Sequence, residues 1–181
     1  AVGSQIVLAL KMITGSNIDP LETAVLSLGA FKAGEVFNII PDKAFIQGTV
    51  RTFSREVCLA IFDRIEAIGK GICDAAGASF TLEKVIGYLP VINHPEISRI
   101  VAEAGAEALG REKVLTVKPV MAAEDFSYYQ QQVPGAFLFI GIGNPDKGIL
   151  YPHHHPRFDM DEDALGYGVE VMARAVVKLL A

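Results

Sequence analysis

The positions of apolar residues predict two helices and three strands in the first ninety residues. Each helix carries an apolar stripe at intervals of three or four residues, which is the repeat of one buried helix face. The stripes consist of Ile6, Leu10 and Ile13 and of Val57, Ile61, Ile65, Ile68 and Ile72. Alternation of apolar and polar residues predicts strands at 22–34, 43–53 and 79–88. The order α-β-β-α-β matches a β-α-β-β-α-β, or ferredoxin-like, unit that lacks its first strand.

A second unit is predicted from Val91 onward. Helical spacing of apolar residues predicts long helices at 94–110 and 161–180. The segment 114–134 combines a short strand, a loop and a short helix that carries EDFSYY. The run GAFLFIGIG at 135–143 is apolar without alternation, which predicts a central strand covered on both faces.

The amino-acid composition indicates which classes of binding partner and which cellular location to expect. The chain is 51% hydrophobic and 20% charged with a net charge of -5 and no basic stripe, which predicts a globular protein that does not bind nucleic acid. We find no apolar run of the ~20 residues that cross a bilayer and no signal peptide, so we expect no membrane partner and a cytoplasmic location. Cys58 and Cys73 do not form a CxxC motif, and we expect both to be reduced.

The segment YPHHHPRFDMDED at 151–163 holds three of the four histidines. His153, His154 and His155 lie between two prolines, in a loop that follows the predicted central strand. Neutral imidazole is a good ligand for zinc and related metals, but adjacent residues rarely all reach one ion. The alternative is a surface loop with solvated histidines. A metal site needs at least three protein ligands, and the remaining histidine, His94, lies at a predicted helix start.

Four other polar residues are candidates, each with a simpler alternative. Glu124 and Asp125 form a carboxylate pair suited to metal binding or acid–base catalysis. The alternative is that they lie in the first turn of a helix and interact favourably with the positive end of its dipole. Asn38 has a side-chain amide that both donates and accepts hydrogen bonds. The alternative is that it bonds only to the backbone of its own turn. Arg51 projects from the strand face opposite the apolar one. There it is able to form a bidentate pair with a carboxylate, and the alternative is a solvated side chain.

Four motifs extend this interpretation to a family. In order they read GSQIVLALK, AGEVFNIIPDKAFIQGTVRTF, MAAEDFSYYQQQVPGAFLFIGIGN and YPHHHPRFDMDEDAL. Together they resemble the amidohydrolase branch of the M20 metallopeptidases, which includes N-acyl-amino-acid and hippurate hydrolases. The resemblance implies an α/β protein. A ferredoxin-like lid or dimerisation domain without its first strand occupies 1–90, and the C-terminal part of a zinc-peptidase-like catalytic domain occupies 91–181.

The resemblance also implies chemistry and site residues. It implies a metal-dependent amidohydrolase or carboxypeptidase that hydrolyses the amide bond of N-acyl amino acids or related conjugates, with water activated by two zinc or manganese ions. The family pattern makes His154 a metal ligand and Arg51 a contact for the substrate carboxylate. Asn38 matches a residue that contacts substrate or the second copy of a dimer, and Glu124 and Asp125 match a wall of the site. No catalytic residue is assigned within the chain.

Departures from the family pattern shape what we expect of this chain. The HxCGHD, EE and HxxxPH segments of the family, which carry the other metal ligands and the general base, are absent. The sequence also begins without Met, and its first residues already have the apolar spacing of a helix. Ala122 and Ala123 stand where Gly-Ser is more usual. We therefore expect a C-terminal half that is inactive and holds no metal stably by itself, and whose partners are its N-terminal half and a second copy bound through the lid. The alternative is a non-catalytic interaction domain that dimerises without metal.

Overall fold

The computed structural model describes residues 1–181 as two compact units. Unit 1 comprises residues 1–90 and 120–124, and unit 2 comprises residues 91–119 and 125–181. Both helices and strands are present, in accord with the predicted α/β class. None of the helices combines the length and the apolar composition that crossing a bilayer requires.

Unit 1 packs helices against one face of a two-stranded sheet. Its elements are α1 (Val2–Leu10), α2 (Ile13–Ser16), β1 (Ala24–Ala33), β2 (Ala44–Thr52) and α3 (Arg55–Ala75). The strands are antiparallel, and their register runs from Ala24 opposite Thr52 to Ala33 opposite Ala44. Both strands agree with the prediction. They are consecutive in the chain and pair with each other, so neither depends on a partner from a distant part of the sequence.

The core of unit 1 confirms the predicted helical stripes. Its buried residues are Ile6, Leu10, Ile13, Leu26, Ile61, Ile65 and Cys73. Ile46 and Val50 of β2 pack against this core, so Arg51 lies on the exposed face of the strand as predicted. The hydroxyl of Ser54 accepts a hydrogen bond from the N–H of Val57 at 3.3 Å and thereby caps α3, which typically contributes about 1 kcal/mol.

The predicted third strand at 79–88 is wrong as a strand. Residues 78–94 form neither helix nor strand, and the sheet contains β1 and β2 alone. Phe80 still packs against the core, and Lys84 forms an ion pair with Glu66 at 2.7 Å. Alternation of apolar and polar residues indicates which side chains are buried. A strand also requires a neighbouring backbone with which to form hydrogen bonds.

The packing of Phe80 on α3 yields a prediction about stability. A Cβ atom at Gly69 would overlap the Phe80 ring, whereas one at Gly71, in the same helix, has nothing within 4 Å. We expect Gly71→Ala to raise the free energy of unfolding by up to about 1 kcal/mol. Gly69→Ala should be about 1–3 kcal/mol less stable than this control, because a well-packed site resists extra volume. Urea denaturation measures both, and equal effects would show that Phe80 does not pack on Gly69.

Unit 2 is built around two long helices that pack on each other and several irregular stretches. Its helices are α4 (Pro95–Leu109), α5 (Phe126–Gln130) and α6 (Asp163–Leu180), with short 3-10 turns at Arg111–Lys113 and Pro145–Lys147. Helix α4 packs on α6 through small buried residues such as Ala104 and Ala175. An ion pair of 2.7 Å between Lys178 and Glu107 joins the same helices. The three predicted helices are thus confirmed.

The strands predicted at the start of 114–134 and at 135–143 are wrong. Neither stretch forms a strand, and Phe139 is exposed, so the run is not covered on both faces within this chain. Side chains anchor its beginning instead: the amide of Asn93 accepts from the N–H of Phe137 at 2.7 Å and donates to its carbonyl at 2.8 Å. The apolar composition had indicated burial, but in this chain no strand pairs with the run.

Candidate metal centre

The histidine loop, residues 148–160, joins the 3-10 turn Pro145–Lys147 to α6. Two consecutive turns shape its middle. The N–H of His155 donates to the carbonyl of Pro152 at 3.2 Å, and the N–H of Phe158 donates to the carbonyl of His155 at 2.9 Å. His154 is therefore the third residue of the first turn, the position at which some turn types require a positive φ.

His154 has a φ of +67° and is the one non-glycine residue of the chain in the left-handed region. Glycine adopts this conformation without steric cost, whereas an L side chain such as imidazole costs about 1–2 kcal/mol. Strained residues of this kind persist where the surrounding structure holds them, and they cluster at functional sites. The backbone thus marks His154 as a residue whose side chain is retained against a local preference.

The two neighbouring histidines are engaged by aromatic residues. The His155 ring stacks on Tyr151 with 4.2 Å between centroids, and its Nδ1 accepts from the N–H of Arg157 at 3.0 Å. His153 meets the Phe158 ring edge-on at 4.9 Å. His154 is exposed and makes no hydrogen bond, ion pair or ring contact. Among the three, His154 alone makes none of these contacts, so its imidazole is the least constrained.

A polar cluster that the sequence did not single out closes the base of this loop. The Asp161 carboxylate accepts hydrogen bonds from Asn144 Nδ2 and from Lys147 Nζ, both at 2.6 Å. These bonds, that of Asn144 foremost, hold the pKa of Asp161 below its ordinary value. The carboxylate favours its charged form, which keeps it a strong acceptor. The pairing spans 17 residues, so periodicity carries no signal for it.

The residues present fit one ligand of a metal site. A neutral imidazole is a suitable ligand for zinc and manganese-type ions, and His154 offers it without an internal competitor. Nowhere in the chain do three His, Cys, Asp or Glu side chains come together as a ligand set. A complete site therefore requires ligands beyond those that this chain groups together.

The other predicted site residues are divided between the two units. Asn38, in the turn between β1 and β2, is exposed, and so is Arg51, whose Nη1 donates to Thr49 Oγ1 at 2.8 Å. No hydrogen bond joins Asn38 to Arg51. The half-buried Glu124 belongs to unit 1, whereas Asp125 belongs to unit 2, as does His154.

Asp125 bears on one of the alternatives left open by the sequence. It stands at the N-cap position of α5, and its carbonyl accepts the N–H of Tyr128 at 2.9 Å. Its carboxylate, however, makes no capping hydrogen bond. Asp125 is exposed, and a carboxylate at the start of a helix is favoured by the positive helix end without such a bond, so this alternative stays open.

Known proteins similar to this chain define its family. Residues 4–178 match the family described as Peptidase family M20/M25/M40. A Bacillus subtilis protein named as a candidate amidohydrolase, YhaA, is 38% identical over 97% of this chain and 44% of its own length. The N-acetyldiaminopimelate deacetylase of Streptococcus sanguinis is 33% identical over 94% of this chain and 44% of its own length. The chain thus spans about half the length of these relatives.

A solved structure supports the same assignment. A Bacillus subtilis protein described as a dinuclear metal binding peptidase from the M20 family is similar with a TM-score of 0.70 and 32% identity, over 99% of this chain and 45% of that chain. The resemblance drawn from the four motifs is thereby confirmed, as is the α/β fold class. This chain belongs to the M20/M25/M40 family of peptidases.

Proposed function

We propose that this chain forms the C-terminal half of a metal-dependent amidohydrolase that hydrolyses the amide bond of N-acyl amino acids or related conjugates. The observation that carries the proposal is His154, an uncommitted imidazole held at a φ of +67° in a chain of this family. One relative is named for deacetylating N-acetyldiaminopimelate, a name that denotes an N-acylated amino acid, and this supports the substrate class.

Each candidate residue receives one role in this proposal. His154 supplies a single nitrogen ligand, and the remaining ligands come from the part of the enzyme that this chain does not span. Two divalent ions, zinc or manganese, supply the activated water when bound. Arg51 pairs with the substrate carboxylate, Asn38 contacts substrate or a second copy of the chain, and Glu124 and Asp125 form a wall of the site.

A hydrolysis assay on the full-length protein tests the proposal. The substrates are N-acetyl and N-benzoyl amino acids, assayed before chelation, after chelation, and after zinc or manganese is restored. We expect release of the free amino acid only when metal is present. Hydrolysis that survives complete metal removal would contradict the proposal. No hydrolysis with either metal, together with a dimer in solution, would favour the alternative of a non-catalytic interaction domain.

Arg51 provides a prediction about substrate binding. We expect Arg51→Ala to raise KM for N-acyl amino acids roughly ten- to a hundredfold, because a charge-assisted hydrogen bond contributes about 1.5–3 kcal/mol. Arg51→Lys should recover part of this loss, since lysine keeps the charge but cannot form the planar fork. Arg55→Ala, which removes another exposed arginine of unit 1, is the matched control and should leave KM unchanged. Unchanged kinetics in Arg51→Ala would return Arg51 to a solvated strand residue.

A further inference from the structure

The Asp161 cluster joins the two ends of the histidine loop. Both carboxylate oxygens are used on the side that precedes the loop, Oδ2 by Asn144 and Oδ1 by Lys147. The backbone of Asp161 reinforces this connection, because its N–H donates to the carbonyl of Ile142 at 2.9 Å. Asp161 Oδ1 also accepts from the N–H of Asp163 at 3.3 Å, so the same carboxylate ties the loop to the first turn of α6.

Asn144 is as fully engaged as Asp161. Its amide oxygen accepts from the N–H of Asp146 at 3.1 Å while its amide nitrogen donates to Asp161. Its backbone exchanges two hydrogen bonds with Ile149, at 3.0 and 2.9 Å. The base of the loop is therefore a closed set of bonds, and the strained turn at His154 lies between its two ends.

Burial separates Asp161 from the acidic residue beside it. The Asp161 side chain is 15% exposed, whereas that of Asp163, which also contacts Lys147 at 2.8 Å, is 72% exposed. Charge-assisted hydrogen bonds that are shielded from water are stronger than exposed ones. Asp161 is thus the member of the cluster whose removal should loosen the loop most.

We propose that Asp161 is a positioning residue for the metal ligand His154, which it serves by holding the base of the histidine loop closed through Asn144 and Lys147. The inference rests on the proposed function, in which His154 binds metal. A turn that holds an imidazole at a positive φ has a relaxed alternative, and a closed base restricts access to it. Residues that orient a ligand without touching the metal typically change metal affinity by about 10–100-fold when they are replaced.

The test compares three variants of the full-length protein. Asp161→Asn keeps the shape of the side chain but removes its charge, and Lys147→Met removes the cation that pairs with it. Asp146→Asn is the matched control, since it removes the same charge from a neighbouring residue whose side chain forms no hydrogen bond or ion pair. Metal affinity is measured by competition with a chromophoric chelator, and the cobalt-substituted protein reports ligand geometry through its visible spectrum.

We expect Asp161→Asn to weaken metal binding by about 10–100-fold and to shift the cobalt spectrum. Lys147→Met should act in the same direction with a smaller effect, and Asp146→Asn should match the wild type. Amide hydrogen exchange at Phe158 should accelerate in the first two variants, because the turn at His155 loses its support. Wild-type affinity and spectrum in Asp161→Asn would overturn the proposal.

If Asp161→Asn does not fold, Lys147→Met decides, and unchanged metal affinity in that variant overturns the proposal. Failure of the proposed function is distinguished by His154→Ala. If that variant keeps full metal affinity, His154 is not a ligand, whereas if it loses metal while Asp161→Asn does not, the positioning role alone is wrong.

Discussion

Replacing His154 by alanine should abolish metal binding and the proposed hydrolysis together in the full-length protein, while the same change at His153 or His155 should have milder effects. The family motif matches His154, and the rings of its two neighbours are held by Phe158 and Tyr151 whereas the His154 ring makes no such contact. Loss of one ligand from a site that needs three leaves the ion with too few bonds to be held. Metal content measured by atomic emission, alongside turnover, checks the prediction.

A second substitution at the same position separates function from stability. His154→Gly should lose metal as alanine does, yet raise the free energy of unfolding of the metal-free protein by about 1–2 kcal/mol relative to His154→Ala. Glycine adopts a φ of +67° without a steric penalty, whereas alanine at this position still carries the penalty. If metal content survives His154→Ala and falls in a neighbour's variant, the ligand lies one position away. Equal stability of the two variants would show that the turn is not strained.

Purified by itself, the 181-residue chain should show no metal-dependent hydrolysis of N-acyl amino acids. The chain groups no three potential ligands, whereas a catalytic zinc uses three protein ligands plus water. No general base is assigned within this chain, and the lack of one would by itself cost a factor of about a hundred or more. Turnover of the chain and of the full-length protein is compared at equal molarity with zinc or manganese added. Turnover by the chain at a rate near that of the full-length protein would contradict the prediction.

The elements that the sequence predicted well are those whose determinants are local. Helix α3 follows from its apolar stripe and from the cap at Ser54, and β1 and β2 follow from alternation because each is the other's partner. The predicted strands at 79–88 and 135–143 failed for the opposite reason. Their side chains have the composition of covered strands, but strand formation depends on a backbone elsewhere, which a pattern within one segment does not report.

The candidate site shows the same division. Histidine content pointed to the loop, and the family motif predicted His154 as the ligand, although composition alone left the three histidines equivalent. The positive φ of His154 and the packing of its neighbours emerge only from three-dimensional structure. Asp161 was not identified at all, because its pairing with Asn144 and Lys147 depends on how the chain closes the loop.

The backbone at His154 also bears on how this loop should evolve. If His154 binds metal as proposed, selection for metal binding would keep the imidazole despite its conformational cost. Where that selection is relaxed, substitutions to glycine or asparagine, which tolerate a φ of +67°, become the favoured replacements. In descendants of this lineage, a glycine or asparagine at position 154 would therefore be the expected sign that the proposed metal binding has been lost while the fold is kept.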